Sequence, residues 1–69
     1  MTARDNTIRE LIRDAAENTG WTDEGLLIDL ATAGLMLADG KAETDENREA
    51  ARDEVQRGWD KHFKIHFGG

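Results

Sequence analysis

An all-α fold, a compact three-helix bundle spanning about 7–18, 23–39 and 45–64 with a short extended C-terminal tail, follows from three features of the chain. Apolar residues recur at helical spacing in three separate stretches. Glycines and Ser/Thr/Asp-type caps stand between those stretches, at Gly20–Asp23 and Gly40–Thr44. No Pro occurs anywhere, and only one short run alternates with the period of a strand. Sixty-nine residues make one helical domain, 1–69, close to the lower size at which a hydrophobic core stands alone. With no Cys to staple it, helix packing or self-association has to supply the stability.

In the first helix Ile8, Leu11, Ile12, Ala15 and Ala16 fall on one face. Thr7 and Glu10 have the spacing of a capping box, which puts the start at Thr7; Thr2 is a rival start one to two turns earlier. Gly20 supplies the left-handed residue that ends the helix. Trp21 follows, placed to serve as a hydrophobic staple with Leu26 if Thr22 is the N-cap. On that reading Trp21 is a core residue, and its loss would cost roughly 3–5 kcal/mol.

The second helix, from about Asp23 to Asp39, holds most of the aliphatic bulk and no positive charge. On a helical wheel Leu26, Leu27, Ile28, Leu30, Leu35 and Leu37, with Ala31, Gly34 and Ala38 among them, sweep about 200°, twice an ordinary amphipathic stripe. Asp29, Thr32, Asp39 and Met36 fill the remaining arc, so Met36, beside Ile28 and Leu35, is expected at the surface. Ala31, Gly34 and Ala38 form a small-residue strip suited to close packing. Thr44 caps the third helix, with Ala51, Val55, Trp59 and Phe63 on its apolar stripe and Gly58 as a weak point. Residues 63–67 alternate with period two and also fit helical steps; helix to about Lys64 followed by an extended tail is the expectation.

Fifteen acidic and nine basic residues give a net charge of −6. No stretch supplies the basic face that phosphate contacts require, which argues against direct nucleic-acid binding. The longest apolar run is too short and too interrupted for a membrane span, and the polar start reads as lacking a signal peptide, so the expected place is the cytoplasm. His62 and His66 are one turn apart, but Phe63 stands where a zinc-protease motif needs Glu, and no third ligand is evident. The turn around Gly40 places Leu35 and Leu37 where a calcium loop needs oxygen ligands. Neither metal nor other cofactor is therefore expected. The chain has no Ser and no Cys, and nothing sets one carboxylate apart from its neighbours, so no catalytic residue is assigned and an enzyme is not expected.

Protein–protein binding is the class that remains. Asp39, Glu43, Glu46, Glu49 and Asp53 crowd the second turn and the start of the third helix, a surface able to meet a basic partner. Met36, together with Ile65 and Phe67 in the tail, supplies the expected apolar contact. The segment Gly20-Trp21-Thr22-Asp23-Glu24-Gly25-Leu26-Leu27 resembles a helix corner that recurs in small uncharacterised bacterial and phage helical proteins. That resemblance covers about half of the chain and carries over no functional residue. It implies an accessory or phage-type binding protein, most concretely an anti-CRISPR-like inhibitor or modulator acting in the host cytoplasm on a basic surface of a larger complex. The alternative expectation is a structural protein that self-associates as a homodimer.

Overall fold

Two glycines with positive φ, Gly20 at 72° and Gly40 at 67°, divide the chain into its helices. The computed structural model describes residues 3–63, which form α1 (Ala3–Thr19), α2 (Glu24–Asp39) and α3 (Asp45–His62), each packed against the other two. Among the described residues all regular structure is helical.

α1 starts at Ala3, a turn before the expected Thr7. Thr7 therefore sits inside the helix, where its Oγ1 donates to the Ala3 carbonyl at 3.0 Å, and the Thr7–Glu10 capping box does not form. The extra turn is held by tertiary ion pairs of Arg4 and Asp5, which no apolar periodicity could announce. Thr2, the rival start, lies outside the described residues.

The α1–α2 corner is also capped differently. The Gly20 amide donates to the Ala16 carbonyl at 2.8 Å, and the Trp21 amide donates to Thr19 Oγ1 at 3.1 Å. Asp23, not Thr22, is the N-cap of α2, its carboxylate accepting from the Leu26 amide at 3.0 Å. That one-residue shift makes Thr22 the N′ residue and Leu27 the N4 residue, so Trp21 and Leu26 fall out of staple register. Both stay largely in solvent, 45% and 48% exposed.

At the second corner the Gly40 amide donates to Leu37 and the Lys41 amide to Met36, the paired bonds of a Schellman ending. Thr44 then caps α3 by accepting from the Asn47 amide at 3.1 Å, as its sequence position predicts. α3 closes at His62, with the Phe63 amide donating to Trp59; Lys64 and the tail lie outside the described residues.

The core is built from Ile8, Ile12 and Ala15 of α1, from Leu27, Ile28, Ala31, Leu35 and Met36 of α2, and from Ala51, Val55 and Trp59 of α3. Trp59 is the large aromatic of the interior and stacks on Phe63 with ring centroids 5.6 Å apart. Where helices approach most closely, glycine makes room. A Cβ at Gly58 would stand 2.5 Å from Ile8 Cγ2, and one at Gly34 would stand 3.0 Å from Leu11 Cδ2.

α2 is rotated relative to expectation. Thr32 and Met36, assigned from the sequence to the polar arc, are each 1% exposed, while Leu26, Leu30 and Leu37 face out at 48%, 40% and 83%. Burial of Thr32 is inexpensive because its hydroxyl donates to the Ile28 carbonyl at 2.6 Å.

Candidate binding surface

The five acidic residues expected to form a binding face separate into two kinds. Asp39 lies at the C-terminal end of α2, where it meets Arg4 from the start of α1. The guanidinium spans both carboxylate oxygens, Nη1–Oδ1 2.7 Å and Nη2–Oδ2 2.8 Å, and with Nε and Nη2 also holds Glu54 of α3 at 2.8 and 2.9 Å. One arginine thereby ties all three helices. Its hydrogen bonds hold the Asp39 and Glu54 carboxyls below their ordinary range, and those two carboxylates, Glu54 first, push the guanidinium further up. Glu43 faces Arg48 at 3.6 Å and Asp53 pairs with Arg57 at 2.6 Å. Glu46 and Glu49, by contrast, are exposed and make no ion pair among the described residues. The acidic face available to a partner is thus narrower than the sequence pattern implies.

Of the apolar residues assigned to that surface, Met36 is enclosed by the bundle, and its neighbours Ile28 and Leu35 are 1% and 0% exposed. Met36 presents no surface to a partner in this fold. The wide apolar arc did signal surplus surface, but the surplus lies at the opposite edge, on Leu26, Leu30 and Leu37. Ile65 and Phe67 lie outside the described residues.

Leu30 and Leu37 form one wall of a groove between α2 and α1, and Leu11, Asp14 and Asn18 form the other. Ala15, Ala31, Ala33 and Gly34 line the space between, and their small side chains leave a volume of about 330 Å³. Only one side chain in this lining, Asp14, is charged. The spacing 26, 30, 33, 37 alternates steps of four and three, the pattern by which one helix seats against another. Its three leucines were legible in the sequence as part of the wide apolar arc, which did not include Ala33.

Elsewhere two further ion pairs join helices. Asp5 is held by Lys61, which lowers its carboxyl pKa, and Arg52 pairs with Asp29 across α2 and α3. Asn6 Oδ1 and His62 Nε2 are buried without hydrogen-bond partners among the described residues. No group of three His, Cys, Asp or Glu side chains there could hold a metal ion, and His66 lies outside the described residues. No described helix is long and apolar enough to cross a membrane. Compared with protein-family models, curated proteins and solved structures, the chain matches none.

Proposed function

We propose that this chain is a small non-enzymatic protein that acts by binding another protein. The observation that carries the reading is the uncovered leucine stripe of α2: Leu26, Leu30 and Leu37 stand outside a core that eleven other apolar side chains already close. Exposed leucines clustered on one face of so small a molecule favour a partner. The net charge of −6, with Glu46 and Glu49 unneutralised, steers encounter toward a basic surface. The most concrete version is an inhibitor or modulator of the phage–host type, anti-CRISPR-like. It would occupy a basic surface of a larger complex that handles nucleic acid and block access to it. Affinity purification from the host cytosol with mass spectrometry tests this. A partner retained by the wild type and lost from Glu46→Lys/Glu49→Lys or Leu37→Glu variants supports it, and retention indifferent to both changes refutes it.

The alternating four–three spacing of Leu26, Leu30, Ala33 and Leu37 favours one second reading, self-association of two copies through α2. Met36 and Ile28, being buried, have no part in it. A monomer by sedimentation at high concentration would remove this reading.

A further inference from the structure

We infer that the groove between α1 and α2 receives a single amphipathic helix of a partner protein, about three turns long, with Lys or Arg flanking its apolar face. This inference rests on the binding function proposed above and names the site and the chemistry of its occupant. Length comes from the stripe itself. The groove wall from Leu30 to Leu37, continued one turn beyond the groove by the exposed Leu26, spans eleven helical steps, about 17 Å at 1.5 Å per residue, which suits anchors at i, i+4 and i+7 of a docked helix. Depth comes from the small residues between the walls, Ala33 above all, since Leu11 already takes the space over Gly34.

Charge selects the occupant. The groove lining contains one carboxylate, Asp14, and no cation; α2 and its cap have no Lys or Arg, and while Arg4 and Arg52 already hold Asp39 and Asp29, Asp23 and Glu24 make no ion pair among the described residues. Laying α2 of a second copy into the groove would set acids against acids with no cation on either α2, which opposes association. Area points the same way. A strip of this length and one helix width offers on the order of 200 Å², well short of the roughly 800 Å² per partner in a standard stable interface. It fits one helix better than a whole globular face. A cationic flank meets Asp14 and the start of α2 at Asp23 and Glu24 while the leucines take the apolar side.

The test uses the full chain and two synthetic helical peptides. Both carry Leu at i, i+4 and i+7; one has Lys at every flanking position and the other Glu. Amide NMR titration should show saturable shifts at Leu11, Leu30, Gly34 and Leu37 with the Lys peptide and none with the Glu peptide. Leu37→Glu is the decisive variant. It adds a negative charge, so attraction by net charge alone would tighten binding of the Lys peptide, whereas seating in the groove predicts a loss of about tenfold or more. Leu37 is 83% exposed, so its replacement leaves the core intact. Asp14→Lys should weaken the Lys peptide and admit the Glu peptide. Shifts confined to the face of Glu46 and Glu49, unchanged or tighter binding by Leu37→Glu, or a wild-type dimer abolished by Leu37→Glu would each overturn the assignment. The purification experiment separates the two levels: a partner lost only from the Glu46/Glu49 variant leaves the binding function standing and removes the groove.

Discussion

Replacing Gly58 with Ala should destabilise the bundle even though it improves the intrinsic helicity of α3. In an exposed helix interior, Ala is favoured over Gly by up to about 1 kcal/mol. At position 58 the added methyl would stand 2.5 Å from Ile8 Cγ2 and 3.6 Å from Ile8 Cβ. Ile8 is 4% exposed and β-branched, and such side chains have one strongly preferred χ1 in a helix, so Cγ2 cannot swing aside. Relief requires α1 and α3 to separate, and overpacking of this kind costs about 1–3 kcal/mol. The net expectation is a loss of about 1–2 kcal/mol, or roughly 4–16 °C in Tm for a domain of this size. Thermal denaturation followed by circular dichroism would measure it in a four-member cycle with Ile8→Leu. That change conserves volume but moves the branch from Cβ to Cγ, removing the obstructing atom. In the Ile8→Leu background, Gly58→Ala should be neutral or stabilising. A Gly58→Ala protein as stable as wild type, or an equal penalty in both backgrounds, would refute the close-approach argument.

Gly34→Ala should be milder, changing stability by less than about 1 kcal/mol in either direction, because the atom it meets is the end of the half-buried Leu11 side chain; urea denaturation measures this. The two tryptophans should also separate. Trp59→Ala removes a residue 2% exposed and should cost about 3–5 kcal/mol. Trp21→Ala, at a residue 45% exposed, should cost under about 1 kcal/mol, and equal penalties would disprove the burial assignment. Asp39, Glu54 and Asp5 hold their protons less tightly folded than unfolded. Their contribution is therefore complete above the ordinary carboxyl values of 3.8 and 4.5 and is lost as the pH falls through the lowered folded values. Arg4→Ala should lower Tm near neutrality and flatten its decline in acid, and a deficit that persists at the acid end would sink this account. High salt should shrink the same deficit. In binding, Glu46→Lys/Glu49→Lys should slow association with a basic partner, while Leu37→Glu should speed dissociation, as surface plasmon resonance would resolve.

The residues that act through local chemistry were readable in order along the chain. Gly20 and Gly40 end helices because only glycine takes positive φ cheaply, and Thr44 caps because its oxygen reaches the Asn47 amide. The misreadings have one origin. Thr7 and Glu10, and Trp21 with Leu26, have the spacing of local motifs, but a spacing does not say which residue begins the helix. Arg4 drew α1 a turn further back by reaching Asp39 and Glu54, residues 35 and 50 positions away. Asp23 took the cap in place of Thr22, and the staple register went with it. Met36 was placed on the wrong side for a similar reason: ten of the sixteen residues of α2 are apolar, and the wheel alone does not orient them.

The sequence by itself determined three helices, their two glycine-closed corners and an α2 with more apolar surface than the bundle needs. These follow from backbone conformation, capping and periodicity, which act over a few residues. The tertiary structure alone decided which side of α2 is buried. Gly58 lets Ile8 approach α3, Gly34 receives Leu11, and Thr32 satisfies its own hydroxyl on the Ile28 carbonyl. In that packing Met36 points inward and Leu26, Leu30 and Leu37 face out. Burial depends on what a neighbouring helix presents, and that information is distributed over the whole fold.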